Sequence, residues 1–381
     1  MERLKVASLR FELTPEFDFG SSDYAALFHA CRATAFQHPV WHNAMHAHIG
    51  RLEGLTSQYV SVRHEENSKL LALFPLIKRP MMGAYILEFA NLGLVDYAAP
   101  TIHPDLWTQL DDPTELYLHL EKLLSPYDLL RIKHLRDQDL DLTRLFPNAQ
   151  VRKAAFGAHS TDLFGNIEEW RAAKMSRTTR RNNNRKRKAL KREGNFSMRR
   201  LMDAAEIEQA FERLRVLRKD RFHDRLEKDY CQDPIAFDFY LKLAKDGAQA
   251  GYAVVYQFTL DDQIVGVHFG LAHAGRFYYL LPAIDYDRLG RFSPGLLMIE
   301  DMIADCLDRG FDHFDFTVGD EGHKRKFGTR PSTIYTLWHS HSLLGSMGVT
   351  FANVIKKGGM GSQFNRWLCP ETRQEGVRIA G

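Results

Sequence analysis

Three charged residues stand just past an apolar run that closes at Val318: Asp320, Glu321 and Lys324. General acid–base chemistry needs a proton acceptor, a cation can steady a developing negative charge, and these residue types can supply both at one centre. The same spacing also suits a helix N-terminus, with acids in the first turn and a lysine one turn later. His268 is the histidine best placed for binding. It falls on a predicted strand with Gly266 and Gly270 two residues away on the same face, where missing side chains leave room for a ligand, and Tyr279 on the next strand can share that space. A buried histidine satisfied by one hydrogen bond, beside a core tyrosine, fits the pattern too.

A third group lies at 285–295, in the loop DYDRLGRFSPG. Arg288, Gly290, Arg291, Ser293 and Gly295 combine cations with flexible backbone, and Pro294 stands where a helix can start. The predicted order is strand, glycine-containing loop, helix, strand. It sets backbone N–H groups and the positive end of a helix dipole at one point, where a phosphate or pyrophosphate is held. Plain turn chemistry produces similar letters.

The elements that must position these residues are legible around them. Leu296, Ile299, Met302, Ile303 and Cys306 share one helical face, with Gly310 as the stop. Strands are predicted at 195–201, 252–260, 264–271, 276–281 and 311–318, and helices at 204–221 and 234–245. Three consecutive antiparallel strands are the simplest reading of 252–281. The first half shows a weaker version of the same theme. Its strands are predicted at 6–11, 58–63, 70–77, 84–89 and 129–132, with helices within 22–48 and at 113–124.

At 381 residues the chain exceeds one ordinary hydrophobic core, so two domains are expected. With 44% apolar and 26% charged residues it is globular in composition. No apolar run reaches the length of a membrane span, and the charged N-terminus is unlike a secretory signal, so the cytoplasm is the expected compartment. Cys31, Cys231, Cys306 and Cys369 form no close-spaced pair, against a zinc ribbon or redox pair. His42, His46 and His48 lack interleaved acids or cysteine, so no metal is expected. Neither GxGxxG after a strand, GxxxxGK[ST] nor GxSxG occurs. Net charge is only +3, yet 177–192 holds nine Lys or Arg and no acid. Such a run is either a solvated helix face or a site for phosphates, an acidic polymer, nucleic acid or a membrane surface.

The run FDFTVGDEGHKRKFGT at 314–329, with YYLLPAIDYD and SPGLLM before it, resembles the GNAT-type acyltransferases of the CelD-like group. That group is named for proteins of bacterial cellulose and exopolysaccharide synthesis and is distantly related to the FemABX peptidoglycan transferases. A basic helix before the C-terminal domain matches 176–194. Two N-terminal elements match as well: "hPvW" as His38, Pro39, Val40 and Trp41, and "G-x-x-DY" as Gly93, Asp96 and Tyr97. The resemblance spans about 20–340 and is diffuse in the first half.

It implies an α/β (α+β) fold of two tandem GNAT-like domains, each a mixed, mainly antiparallel sheet flanked by helices. The expected bounds are 1–155, 156–345 and a helical tail at 346–381. Within the "G-x-E-x-x-K" element, Lys324 would stabilise an oxyanion, with Glu321 as proton acceptor and Asp320 beside them. The 288–295 loop would hold the pyrophosphate of coenzyme A, although it is longer than the usual Q/R-x-x-G-x-G/A loop and ends in Ser-Pro-Gly. His268, Tyr279, Asp96 and Tyr97 would contact substrate. The implied reaction moves an acyl group, acetyl above all, from acyl-CoA to an amine or hydroxyl, in polysaccharide or envelope biosynthesis. Two alternatives remain: an aminoacyl-tRNA-dependent transferase of the FemABX kind, and a non-catalytic protein binding RNA or another anionic polymer through 177–192.

Overall fold

The computed structural model describes residues 8–346 apart from 50, 51, 53, 82, 91, 92, 147 and 223–228. These divide into two compact units, 8–155 with 333–346, and 156–332. The expected helical tail lies outside the described residues apart from Ser346.

The first unit runs β1 (Leu9–Thr14), α1 (Ser22–Ala30), α2 (Pro39–Ile49), β2 (Thr56–His64), β3 (Leu70–Met81), β4 (Ala84–Phe89), β5 (Thr101–Ile102), α3 (Pro104–Gln109), α4 (Pro113–Leu124), β6 (Leu129–Arg136) and β7 (Gln150–Lys153). The second runs β8 (Ala158–Asp162), α5 (Ile167–Lys174), α6 (Arg177–Glu193), β9 (Phe196–Leu201), α7 (Ala204–Phe222), α8 (Pro234–Ala248), β10 (Ala253–Leu260), β11 (Gln263–His273), β12 (Arg276–Ile284), α9 (Tyr286–Leu289), α10 (Pro294–Asp308), β13 (His313–Val318) and β14 (Arg330–Ser332). The chain then returns to the first unit as β15 (Ile334–Ser340), which pairs with β6 and β7. This differs from the expected boundary at 345. Ile334, Leu337 and Trp338 bury their side chains in the first unit, so the seam of backbone pairing lies near residue 333.

Each unit holds one mixed sheet flanked by helices. The orders are β1-β2-β3-β4-β6-β15-β7, with β5 on β3, and β14-β8-β13-β12-β11-β10-β9. Both are antiparallel except for one pair, β4 with β6 in the first and β12 with β13 in the second. Each parallel pair is joined by a helical crossover, as parallel neighbours must be. The antiparallel run expected over 252–281 is β10, β11 and β12.

β10 is buried along nearly its whole length because both faces of the second sheet are covered, so it reads as a continuous apolar run rather than an alternation. On one face Phe211 of α7 meets Phe269 edge-on, and on the other Met298, Met302 and Ile303 of α10 pack among Tyr256, Phe258, Phe277 and Phe314. α10 starts where Pro294 presets the first helical φ and ends where Gly310, at φ +75°, lets Phe311 N–H reach Cys306 O at 2.9 Å.

Candidate active site

β12 and β13 pair only through Arg276–His313, Phe277–Phe314 and Tyr278–Asp315, although β12 runs on to Ile284 and β13 to Val318. The parallel strands therefore part at their carboxyl ends, the edge at which open α/β sheets take ligands. β13 bends where they part. Thr317 has φ +57°, its N–H donates to Asp315 Oδ1 at 2.8 Å, and the register against β8 skips from Asp315 to Val318. A left-handed β-branched residue costs about 1–3 kcal/mol and persists only where its surroundings impose it.

The first turn of α10 opens on the same edge. Its N-cap, Ser293, is also left-handed at φ +51°, and its side chain does not cap the helix. Instead Ser293 Oγ accepts a hydrogen bond of 2.5 Å from Lys186 Nζ of α6. Pro294 has no N–H and Leu296 N–H bonds Ser293 O at 3.1 Å, so this helix end, with no side-chain cap and an ammonium beside it, keeps the positive character of a helix N-terminus. The corresponding crossover of the first unit is built the opposite way. There Asp112 caps α4 through Thr114 N–H, and the last residue pair of the parallel strands is filled by an ion pair, Glu88 to Arg131 at 2.6 Å. The Arg131 and Arg79 charges overcome burial and hold the Glu88 carboxyl down to about 2.

The expected donor loop is corrected in part. Arg288 turns to Gln263 Oε1 at 2.6 Å, and Arg291 pairs with Glu193 at 2.8 Å with its side chain 66% exposed, so the helix end takes its cation from Lys186 instead. Gly290 has open space where a side chain would stand. Gly295 does not, since a Cβ there would lie 3.3 Å from Tyr286 Oη and 3.4 Å from Ile284 Cδ1.

Lys324 is also corrected. It is buried at the start of a 3₁₀ turn, Lys324–Phe327, and its Nζ lies 3.3, 3.0 and 2.9 Å from the carbonyls of Thr317, Val318 and Gly319 and 2.9 Å from Glu321 Oε2. An ammonium has three hydrogens, and the three carbonyls take them while Glu321 adds an ion pair, so none is left for an oxyanion. Lys324 is instead the clamp that holds the bend of β13. Glu321 is closed on that lysine, whereas Asp320 reaches the surface.

His268 lies on β11 with its ring stacked on Tyr279 at 4.2 Å. Gly266 and Gly270 leave no room for a ligand, because a Cβ would stand 2.7 Å from Met298 Cε at the first and 2.5 Å from Phe277 Cζ and Tyr278 O at the second. They make space for the core instead. Neither ring nitrogen of His268 has a hydrogen-bond partner among the described residues, and burial pulls the imidazole down to about 3. His42 in the first unit is brought to about 3 by burial and then by the neighbouring His38 charge. Both groups stay neutral in the fold and bind protons once unfolded, so stability is full above pH 6.5 and falls as the pH drops toward 3. At pH 5 each costs about 2 kcal/mol, 1.5 pH units at 1.36 kcal/mol each. Urea midpoints at pH 7 and pH 5 measure this, and His268→Phe, which keeps the ring stack, is expected to shrink the difference.

Asp96 and Tyr97, expected to contact substrate, are 2% and 4% exposed within the first unit, where Tyr97 packs edge-on against Phe36. Packing against Phe36 accounts for the burial of Tyr97.

The basic segment is divided between two faces of α6. Asn183 and Leu190 are buried, and Asn183 Nδ2 donates to the buried Glu300 Oε1 of α10 at 2.5 Å. Arg187 lies 3.5 Å from Glu300 and 2.6 Å from Asp301, and Arg171 lies 3.5 Å from Glu300. Arg177, Arg181, Arg185, Lys188, Lys191 and Arg192 point outward and are exposed. Two residues at this edge carried no local sequence signal. Lys186 was one of nine cations in the run, and His159 lies on β8, a strand that the period-2 pattern does not show.

Among the described residues no group of three His, Cys, Asp or Glu is placed to hold a metal, and no helix is long and apolar enough to cross a membrane. Residues 177–325 match the family described as "Acetyltransferase (GNAT) domain". A search of curated proteins by sequence gives no match. Among solved structures, FemX is similar with TM-score 0.58 and 11% identity, covering 85% of this chain and 96% of its own. A conserved protein of unknown function from Bacteroides thetaiotaomicron VPI-5482 is similar with TM-score 0.56 and 12% identity, over 87% of this chain and all of its own. The C-terminal domain of a putative lysylphosphatidylglycerol synthetase from Agrobacterium fabrum gives TM-score 0.52 and 11% identity, over 88% and 97%. At these identities the likeness is one of fold, and it reaches both units.

Proposed function

We propose that the GNAT acetyltransferase domain over 177–325 makes this chain a cytoplasmic acyltransferase that moves an acyl group, acetyl first among them, from coenzyme A to an amine or hydroxyl. The observation that carries the reading is the parting of β12 and β13 at the edge where the uncapped α10 begins. The donor's pyrophosphate would lie at the first turn of α10 beside Lys186, with its acyl arm entering between the strands. Displacement at the thioester forms a bond from the acceptor nitrogen or oxygen to the acyl carbon and releases the thiol. The resemblance to CelD-like proteins supports a sugar-linked acceptor.

A thermal-shift series with acetyl-CoA and longer thioesters tests the donor. At one hundred times the dissociation constant the ligand adds about 2.7 kcal/mol of stability. Gly295→Val crowds Tyr286 and the helix end, and is expected to weaken acetyl-CoA binding at least about tenfold, or 1.4 kcal/mol, while the protein stays folded. Failure of every thioester to stabilise the wild-type chain overturns the coenzyme A reading. One observation favours a second donor, aminoacyl-tRNA: the outward cations of α6 have no carboxylate at pairing distance among the described residues. Transfer from charged tRNA, with binding that falls steeply as salt rises, would decide for it. RNA binding without any transfer would point to the non-catalytic alternative.

A further inference from the structure

His159 on β8 is 3% exposed and bonded at both ring nitrogens. Nε2 lies 2.8 Å from Asp320 Oδ1, and Nδ1 lies 3.2 Å from Thr329 Oγ1. The topology brings these distant residues together. β8 pairs with β13 on one side, Ala158 opposite Val318, and with β14 on the other, His159 opposite Pro331, so the ring sits beside the turn after β13 and the residue before β14. Asp320 also accepts the Gly157 N–H at 3.3 Å, yet its side chain is 47% exposed. It stands just past the carboxyl end of β13, the edge on which α10 begins. A carboxylate only accepts, so Nε2 carries the hydrogen, and in the neutral ring Nδ1 takes the Thr329 hydroxyl hydrogen.

We propose that Asp320 receives the proton of the attacking acceptor and that His159, fixed by Thr329, is its positioning residue. This rests on the acyltransferase reading. The acceptor's lone pair forms the new bond to the acyl carbon, its proton passes to the open side of the Asp320 carboxylate, the carbon–sulfur bond breaks, the departing thiolate takes a proton from water to become the thiol, and Asp320 returns its proton to water. The imidazole N–H and the Gly157 amide hold the carboxylate rotamer, so its free lone pairs keep one direction. Other charged groups nearby are engaged elsewhere: Glu321 with Lys324, Asp315 with Arg276, and Asp162 with Lys174 and, at 3.7 Å, Arg330.

The test is the acidic limb of the pH–rate profile in the full chain. Asp320→Asn, at a half-exposed side chain, is expected to lower kcat by about 100-fold or more without loss of stability. His159→Leu removes a donor to the charged carboxylate, so the limb moves to higher pH, and His159→Gln, which restores an N–H, brings it back. Thr329→Val is expected to move it in the same direction by less. A limb that stays in place in a folded His159→Leu protein overturns the proposal. Nitrogen NMR of His159 reads the relay without turnover: a bare Nδ1 and protonated Nε2 are expected in the neutral ring, and the opposite tautomer overturns it. Donor binding measured on the same variants separates the two ideas, since thioester affinity unchanged in Asp320→Asn leaves the acyltransferase reading standing whatever the relay does.

Discussion

Lys324→Met is expected to destabilise the second unit rather than to abolish its chemistry. The substitution removes the donor to three consecutive carbonyls and the partner of Glu321. Breaking a buried ion pair costs about 3–5 kcal/mol, and the lower end applies here because Glu321 keeps some access to water. A loss of about 3 kcal/mol in a unit of this size lowers Tm by roughly 6–12 °C. Loss of a direct oxyanion contact would instead cost about 100- to 1000-fold in rate at little cost in stability. Turnover measured well below the transition temperature is therefore expected to fall less than about tenfold, through slackening of the bend at Thr317. Wild-type Tm together with a thousandfold rate loss would return Lys324 to the reacting centre.

The difference between these outcomes marks where the sequence could be read and where it could not. The helix from Pro294 and its apolar stripe were legible because a period of 3.6 is a local property, and so was the strand pattern over 252–281. The fold class followed from these and from the resemblance. β15 escaped because nothing in Ile334–Ser340 says which sheet it will join; that is decided by pairing with β6, some two hundred residues earlier. The site was misread for a related reason. A lysine after a strand looks the same whether its ammonium faces a cleft or folds back onto its own carbonyls, and Lys324 does the second. Gly266 and Gly270 signal close approach correctly, but the sequence does not say that Met298 and Phe277 are what approaches. His159 has no motif around it, since its partners lie 161 and 170 residues away and only the order β14-β8-β13 brings them together.

Glu300→Gln is expected to show how much of the basic helix belongs to the fold. Glu300 is 2% exposed and stands among Asn183, Arg187 and Arg171. Glutamine keeps the shape and can still accept from Asn183, so the change isolates the charge. Leaving cations without a buried partner costs about 3–5 kcal/mol, but Arg187 retains Asp301 at 2.6 Å and Arg171 retains Glu168 at 3.1 Å, which places the expected loss near 2–3 kcal/mol. The loss would loosen α6 from α10 and carry Lys186 away from Ser293. Glu300→Gln is therefore expected to lower both the denaturation midpoint and the affinity for acetyl-CoA. Lys186→Met, at a half-buried side chain whose hydrogen bond among the described residues goes to the helix end, is expected to lower affinity and leave the midpoint near wild type. The outer cations supply the third comparison. Along that face Arg177, Arg181 and Arg185 follow one another at i, i+4 with no acid between them, and each such like-charge pair costs about 0.2–0.5 kcal/mol in a helix. Replacing Arg181 and Arg185 with Gln is thus expected to stabilise the chain slightly. A destabilised double variant, measured by urea denaturation at low salt, would mean that these arginines hold the fold and have no anion to meet.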